Sequence, residues 1–332
     1  SAVETGLAEA RSLLEHTLLI ALGHREKGLA ENVVQSGWNG TADAVVLGVY
    51  SLGMLVFWRY VMQMGLLPQV AAMVGVKSRR GRKKYALACR EMLYYTFNLV
   101  YTVRILATES WFWELDALWN EGRARSIGAE FKCLYFLEVA WYIAGFVCLL
   151  LDPAKKDFSQ MMAHHIITSG LIMLSYHEGY LRVGAVVFVL HNVSDPFLHG
   201  AKVFNYTNTE PACTITFVLY ALSFLVTRLL IYPVVIWSCQ FRGPAFFFDR
   251  LLTFPENFLI YLLTALIPLH LFWFSIIAKI AVRTIQTGAP QQDDRSDDEE
   301  EEDEKEAAPA IAPPPKPSAP GVTRRTRSQR AS

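Results

Sequence analysis

The chain has 332 residues, of which 52% are hydrophobic and 13% aromatic, and its mean hydropathy is +0.24. This composition is too apolar for an ordinary soluble protein and favours a membrane protein. The formal net charge is zero because 31 basic and 31 acidic residues cancel. Residues 293–306 hold eleven of the acidic and two of the basic residues, so the remainder carries 29 basic and 20 acidic residues. The sequence therefore predicts a basic membrane-embedded body followed by an acidic segment.

Seven stretches are long and apolar enough to be transmembrane helices, because the hydrocarbon core of a bilayer needs about 20 mostly apolar residues per helix. A helix satisfies its own backbone hydrogen bonds in lipid. The predicted fold class is therefore all-α, a polytopic membrane bundle of about seven helices. The stretches are residues 42–63, 86–107, 131–151, 160–177, 182–203, 212–237 and 257–282.

The basic residues of the short loops predict the orientation of these helices. The segment KSRRGRKK (77–84) has six basic residues between the first two stretches, and DPAKKDF (152–158) joins the third and fourth. An excess of Lys and Arg marks the cytosolic side, which places residues 1–41 in the lumen and the C-terminus in the cytosol. Asn39, in an Asn-Gly-Thr sequon, is then a candidate glycosylation site, whereas the sequon at Asn205 is cytosolic and unmodified.

The C-terminal residues 284–332 are acidic, then rich in Pro and Ala, then basic, with few large apolar side chains. Such a composition is typical of a disordered segment. Ser296 lies in the motif DDRSDDEEEE, whose acidic context suits phosphorylation; the alternative is a charge run that only solvates the tail. Residues 42–84 are expected to form a first helix with its basic loop, and residues 85–283 the functional domain.

Polar side chains share one face of the fourth stretch. His164, Thr168 and Ser175 follow the helical spacing i, i+4, i+11, and His165 and Tyr176 lie almost on the same side. Ionisable groups at membrane depth cost at least a few kcal/mol and usually face a bundle interior or a wet cavity. We therefore expect this face to look into the bundle.

The fifth stretch carries a second polar stripe, at positions i, i+4, i+8 and i+11. Its members are His191, Asp195, His199 and Lys202, with Ser194 adjacent. Pro196 removes one backbone donor, and we expect it to kink the helix there. Arg228 and Tyr232 in the sixth stretch and His270 in the seventh are further polar groups at membrane depth.

Each of these groups alone is compatible with a structural hydrogen bond between helices. Together, histidines and an Asp on neighbouring helices favour an acid-base or nucleophilic site, because imidazole exchanges protons near neutral pH. A di-iron site of the membrane hydroxylase type is an alternative, but such sites use HxxxH and HxxHH spacing. The residue three before His164 is Met161, so the sequence favours a site without a metal.

The segment KKDFSQMMAHHIITSGLIMLSYHEGYLRVGAVVFVLHNVSDPFLHGAK (155–202) resembles the signature of the ceramide synthases, which are TLC-domain membrane proteins. The shared features, in order, are KDF, a histidine pair, SY, RxG, and HDxSD with a downstream Lys. Residues 217–233 and 262–280 also resemble this family, as does the acidic tail around Ser296. The resemblance spans about residues 85–283 and implies a TLC core of six helices.

The resemblance implies that a fatty acyl group moves from acyl-CoA to the amine of a sphingoid base, giving (dihydro)ceramide in the endoplasmic reticulum membrane. His164 and His165 match the essential pair and Asp195 the second Asp of the signature, while His191 or Asp195 is expected to orient a histidine. Acyl-CoA is then a co-substrate, with no permanently bound cofactor and no metal. The expected partners are acyl-CoA, the sphingoid base, membrane lipid and a related or identical subunit in a dimer, with no nucleic acid.

Substrate contacts are predicted in two places. The basic residues of loop 77–84 are candidates for binding the CoA phosphates, and the alternative is that they only orient the helices. These candidates are Arg79, Arg80, Arg82, Lys83 and Lys84. The predicted substrate pocket consists of Thr168, Ser175, Tyr176, Arg182, Asn192, Ser194, Lys202, Arg228, Tyr232 and His270.

One position departs from the family signature. Asn192 stands where HDxSD has its first Asp, and an amide can hydrogen-bond but cannot carry a charge or accept a proton. Two functions remain open: a ceramide synthase in which His191 and Asp195 cover the role of that carboxylate, or a non-catalytic TLC-domain protein in lipid handling or membrane-protein biogenesis.

Overall fold

Long helices make up most of the computed structural model, which describes residues 2–21, 33–35, 40–107, 109–114, 118–119, 126–153, 156–243 and 251–287. The predicted all-α membrane bundle is confirmed. Its helices are α1 (Ala2–Ala21), α2 (Gly40–Met54), α3 (Leu67–Met73), α4 (Arg79–Leu106), α5 (Ala129–Leu151), α6 (Phe158–Glu178), α7 (Leu181–Asn192), α8 (Asp195–Tyr206), α9 (Glu210–Phe224), α10 (Tyr232–Phe241) and α11 (Phe254–Thr287).

Shorter elements complete the described structure. A π-helical segment, Leu55–Leu66, continues α2 into α3, and a second one, Leu225–Ile231, continues α9 into α10. A 3-10 helix spans Ser110–Trp113. The strands β1 (Val33–Gln35) and β2 (Ser126–Gly128) form one antiparallel pair. Segments with π-helical hydrogen bonding are frequent at functional sites, and the second of these segments carries Arg228.

Five helical rods in the described part of the chain are long and apolar enough to cross a membrane. They are Gly40–Met73, Glu130–Leu151, Leu181–Tyr206, Glu210–Phe241 and Phe254–Thr287. The predicted number of seven is not confirmed, because α4 and α6 lie at the second and fourth predicted stretches but are more polar than the other five. The polarity of α4 comes from its first turns and that of α6 from its histidine pair and hydroxyl residues.

The basic segment predicted as a loop is partly helical. Residues Arg79 to Lys84 form the first turns of α4, where Ser78 caps the helix by accepting a hydrogen bond of 2.8 Å from the N–H of Gly81. The prediction of a loop was wrong here because a Ser cap can start a helix within a highly charged segment.

The fifth predicted stretch is divided into two helices. α7 ends at Asn192 and α8 begins at Asp195, with Pro196 in its first turn. The interruption lies where the sequence predicted a kink. It arises because proline cannot donate the backbone hydrogen bond that would continue the helix.

α5 is the most buried of the five rods. Within its apolar stretch, 61% of the residues are buried, compared with 11% for Gly40–Met73 and 17% for Glu210–Phe241. It packs against α1, α2, α4 and α6. The outer rods instead expose large apolar side chains such as Leu52 and Met64, which suits contact with lipid. Polar side chains on α5 must therefore find their partners on other helices.

α1 packs against α2 and α5 and is held there by buried ion pairs. Lys132 of α5 contacts the carboxylate of Glu9 in α1, and its Nζ lies 2.7 Å from Oδ1 of Asp43 in α2. Lys132 is 1% exposed and Asp43 is fully buried. Gly6 allows the close approach, because a Cβ there would lie 2.8 Å from the Cβ of Val45. The N-terminal helix is therefore part of the bundle.

Replacing Lys132 by Met is expected to lower the free energy of unfolding by about 3–5 kcal/mol, because it removes the cation that lies 2.7 Å from the buried carboxylate of Asp43. The measurement is thermal unfolding in detergent. Arg11→Ala is the matched control, because its ion pair with Glu15 is 2.9 Å long but exposed; such pairs contribute little. Equal unfolding temperatures for Lys132→Met and the wild type would contradict the assigned role of Lys132.

Candidate functional site

The predicted histidine pair lies inside the bundle, where α6 faces α5 and α11. The ring of His165 contacts that of Tyr142 at a centroid distance of 5.5 Å. His164 contacts the same tyrosine at 5.6 Å and Trp273 at 5.4 Å, and its Nδ1 lies 3.4 Å from the hydroxyl of Thr168. Tyr142 therefore touches both histidines, whose own centroids are 5.9 Å apart.

A backbone hydrogen bond determines which nitrogen of His165 carries the proton. Its Nδ1 lies 3.1 Å from the carbonyl oxygen of Tyr142, and because a carbonyl only accepts, Nδ1 donates. Nε2 then has a free electron pair and no hydrogen-bond partner in the described part of the chain. A bare imidazole nitrogen of this kind can act as a base or a nucleophile.

Gly145 makes the position of His165 possible. A Cβ at this residue would lie 2.7 Å from Cε1 of His165, closer than real side-chain contacts allow. α5 and α6 therefore approach each other closely at the histidine pair, and the imidazole rests against the backbone of α5.

A second histidine pair joins α7 to α11. Nδ1 of His191 donates to the carbonyl of Val187 at 2.8 Å, so its Nε2, 3.1 Å from Nε2 of His270, accepts a hydrogen bond from that residue. Tyr232 packs against both rings. Within the described residues, no three His, Cys, Asp or Glu side chains are grouped to hold a metal ion. Since both nitrogens of His191 are engaged, His165 differs from it in offering a free one.

Asp195 is paired with an arginine. Its Oδ1 lies 2.8 Å from Nη2 of Arg228, which also donates to the carbonyl of His191 at 2.6 Å. The guanidinium packs 4.8 Å from the ring centroid of Phe224, and the hydroxyl of Ser194 lies 3.4 Å from the same carboxylate oxygen. The side-chain partners of Asp195 in the described structure are thus Arg228 and Ser194, so its geometry supports the backbone around His191.

Asn192 connects three helices. Its Nδ2 lies 2.6 Å from Oε1 of Glu138 on α5 and 3.0 Å from Oδ1 of Asn98 on α4. Asn98 in turn accepts from the hydroxyl of Thr102 at 3.1 Å and donates to the hydroxyl of Tyr94 at 3.2 Å. The three linked side chains are at most 2% exposed. Both N–H protons of the Asn192 amide are donated in hydrogen bonds. An ionised Asp has no proton to donate and could not form these bonds.

An apolar cavity of about 780 Å³, its mouth included, runs alongside α7. It extends from Tyr180, just before the helix, to Asn192, its last residue, a length of roughly 18 Å. Its inner end is lined by Glu138, Tyr142, Thr168, His191 and Asn192, its middle by Leu171, Ile172, Val187 and Leu263, and its other end by Trp119, Tyr180 and Glu256. The histidine pair lies outside the wall, next to Tyr142 and Thr168.

The structure brings part of the predicted pocket to this cavity. Thr168, Ser175 and Asn192 line it. The predicted residues outside the wall are Tyr176, Arg182, Ser194, Lys202, Arg228, Tyr232 and His270. Tyr232 donates its hydroxyl to the carbonyl of Leu263 at 2.7 Å, joining two helices of the cavity, and Arg182 lies 5.2 Å from the ring centroid of Trp111. Of these outer residues, Arg228, Tyr232 and His270 make hydrogen bonds that join helices of the wall.

The remaining predicted residues lie away from the cavity. Arg79, Arg80, Lys83 and Lys84 lie on the first turns of α4. Arg82 donates to the carbonyls of Val76 and Lys77 at 2.9 and 3.0 Å, and so closes the turn between α3 and α4. Asn39 and Ser296, with the predicted tail beyond residue 287, lie outside the described residues.

Four residues of the site were not predicted from the sequence: Glu138, Asn98, Tyr142 and Gly145. Glu138 had a usable signal, because it is the one acid in the apolar stretch 131–151 and ionisable groups at membrane depth are functional candidates. Tyr142 and Gly145 had no such signal in the sequence. Tyr142 acts through its backbone carbonyl, and Gly145 acts because the absence of a side chain leaves room for the ring of His165.

The family comparison places most of the chain in one domain. Residues 84–279 match the family model TRAM_LAG1_CLN8, described as the TLC domain.

Curated proteins similar to this chain carry the name ceramide synthase. Ceramide synthase 4 of Mus musculus is 32% identical over 217 residues, covering 64% of this chain and 53% of that protein. Ceramide synthase hyl-2 of Caenorhabditis elegans is 33% identical over 254 residues, covering 70% of this chain and 77% of that protein. Ceramide synthase LOH2 of Arabidopsis thaliana is 29% identical over 253 residues, covering 72% and 84%. The chain spans about half the length of the mammalian curated relatives it matches.

Arg228→Met is expected to lower the free energy of unfolding by about 3–5 kcal/mol, because it leaves Asp195 as an unpaired buried charge. The double variant Asp195→Asn/Arg228→Met removes both charges and is expected to unfold at a higher temperature than Arg228→Met alone. Thermal unfolding in detergent of the wild type, Arg228→Met, Asp195→Asn and the double variant tests the pair. A double variant whose destabilisation equals the sum of the two single ones would argue against direct coupling.

Proposed function

We propose that this chain, which belongs to the TLC-domain family and is grouped there with the ceramide synthases, transfers a fatty acyl group from acyl-CoA to the amine of a sphingoid base. The observation that carries the proposal is the bare Nε2 of His165, held in the bundle interior beside an apolar cavity. The relatives' name supports the same reaction.

Acyl transfer to an amine needs a group that can remove protons or accept the acyl group. A protonated amine is not a nucleophile, so a base must first remove its proton, and a thioester reacts by direct attack or through a covalent relay. The free electron pair on Nε2 of His165 serves either role, and the hydrogen bond to the Tyr142 carbonyl stabilises the imidazolium that a base would become. His164, against Trp273 and Thr168, is the second imidazole available.

The cavity suits the aliphatic part of a substrate. Its middle is lined by aliphatic side chains such as Leu171 and Ile172, and sites for small molecules are predominantly apolar. Its inner end reaches Tyr142 and Thr168, two of the residues that contact the histidine pair. An acyl chain in the cavity would therefore have its carbonyl end near the histidines.

The proposal also covers the location and partners of the protein. We place it in the endoplasmic reticulum membrane with a luminal N-terminus and a cytosolic C-terminus, because basic residues at the start of α4 mark the cytosolic side. Arg79, Arg80, Lys83 and Lys84 are then positioned to bind the CoA phosphates. The substrates are acyl-CoA and a sphingoid base, without a permanently bound cofactor, and a dimer with an identical or related subunit is part of the proposal.

The test is synthesis by the full chain in purified or microsomal form, supplied with a sphingoid base and a mixture of acyl-CoAs. Mass spectrometry measures the ceramide products. His164→Ala and His165→Ala are each expected to lower the rate at least about 100-fold, as for loss of an acid-base group. Undiminished synthesis in both variants would overturn the role of the pair. No product from folded wild-type protein would favour a non-catalytic TLC-domain protein, the function that Asn192 left open.

Gly145→Ala is expected to lower the synthesis rate by roughly 10- to 100-fold, because the added Cβ displaces the His165 ring and small displacements of reacting groups are costly. Gly170→Ala on α6 is the control, since a Cβ there meets no atom within 4 Å. The two variants carry the same chemical change on neighbouring helices. A rate equal to that of the wild type in Gly145→Ala would show that the close approach to His165 is not needed.

A further inference from the structure

Glu138 is a buried acid that has no cationic partner. Two other buried acids of the bundle have one: Asp43 lies 2.7 Å from Lys132, and Asp195 lies 2.8 Å from Arg228. Glu138 is 2% exposed, and no Lys, Arg or His of the described residues forms an ion pair with it. Buried charges are normally paired because the low-dielectric interior makes an isolated one costly. A carboxylate left in this state is suited to a cation that arrives with a substrate.

One hydrogen bond, from the amide of Asn192, reaches the carboxylate of Glu138, and the side chains behind Asn192 fix the direction of that amide. The hydroxyl of Tyr94 donates to the carbonyl of Leu137 at 3.3 Å, and the amide of Asn98 donates to that hydroxyl. The oxygen of Asn98 is thereby directed at Asn192, whose amide donates to both Asn98 and Glu138. Since every donor in this chain is already oriented, Glu138 is held as an acceptor. The hydrogen bond from Asn192 favours the ionised form of Glu138 while burial favours the neutral form, and an arriving ammonium group would supply the missing counter-charge.

The carboxylate also lies in the right part of the cavity. Glu138 lines the inner end of the cavity, together with Tyr142, His191 and Asn192. Tyr142 is one helical turn after Glu138 on α5 and contacts both His164 and His165. A group bound at Glu138 would therefore be adjacent to the histidine pair.

We propose that Glu138 binds the ammonium group of the sphingoid base and accepts the proton that this group must lose before it reacts. The proposal rests on the proposed function and adds a catalytic residue to it. The ammonium gives one proton to Glu138, and its nitrogen then forms a C–N bond to the acyl carbon while the C–S bond to CoA breaks. The second N–H proton passes by way of Nε2 of His165 to the leaving thiolate, which gives free CoA. Glu138 returns its proton to solvent before the next cycle.

Asn192 has a specific role in this arrangement. An Asp at this position would put two carboxylates within hydrogen-bond distance, and such pairs share one proton. The amide instead leaves a single carboxylate, on Glu138, and supplies it with a hydrogen bond of 2.6 Å. With Asn192 in place, the carboxylate at the inner end of the cavity is that of Glu138 on α5, so the departure from the family signature is compatible with catalysis.

The experiment compares the wild type with Glu138→Gln, which keeps the size of the side chain and removes the charge. We expect kcat/KM for the sphingoid base to fall about 100-fold, with KM for acyl-CoA unchanged. A second readout does not need activity: octadecylamine should raise the unfolding temperature of the wild type more than octadecanol does. Glu138→Gln should lose this preference for the amine.

Two further variants distinguish the loss of the negative charge at Glu138 from a structural effect of the substitution. Glu256→Gln makes the same change at the opposite end of the cavity and should retain the preference for the amine. The exchange Glu138→Gln/Asn192→Asp keeps one carboxylate and one amide in the same wall, so it too should retain the preference, and it remains a test if Glu138→Gln fails to fold.

The outcomes distinguish this inference from the proposed function. A folded Glu138→Gln with an unchanged KM for the base and an unchanged preference for the amine would overturn the role of Glu138 while leaving the synthase intact. Loss of the preference in the exchange variant would also overturn it. Absence of synthesis by the wild type would overturn the proposed function instead.

Discussion

Polar groups buried in a membrane bundle have to be satisfied by the protein itself, because lipid offers no hydrogen bonds. This constraint organises the structure around α5. Lys132 near the start of the helix pairs with acids on α1 and α2, Glu138 accepts from Asn192 on α7, and the carbonyl of Tyr142 accepts from His165 on α6. Each contact joins α5 to a different neighbour. Together they determine which face of α5 meets which helix.

The same constraint separates reactive groups from structural ones. Both nitrogens of His191 are engaged, by Val187 and His270, and Asp195 is neutralised by Arg228. His165 is satisfied on one nitrogen only. The chemistry we propose falls to His165, which has a free nitrogen beside the cavity, and to Glu138, whose carboxylate lines the cavity without a cation. The engaged groups position the helices on which these two residues lie.

The sequence predicted the buried histidines and acids more readily than their roles. His164 and His165 were recognisable because two imidazoles interrupt an apolar stretch, and Glu138 could have been found by the same rule. Asp195 was expected to orient a histidine, but its contacts are with Arg228 and Ser194. Asn192 was read as the loss of a carboxylate, whereas its contacts show an amide that joins α4, α5 and α7.

By itself, the sequence determined the helical membrane fold, the positions of the long helices, the break near Pro196 and the residue types that could support acyl transfer. These properties depend on composition and local spacing, which act over a few turns of helix. Only the tertiary structure decided which acid is paired with a cation, which histidine nitrogen is free and how α1 joins the bundle. Those outcomes depend on contacts of about 3 Å between distant residues, such as Asn98 with Asn192 and Asp43 with Lys132. Local pattern cannot specify such contacts, because they exist only after the helices have packed.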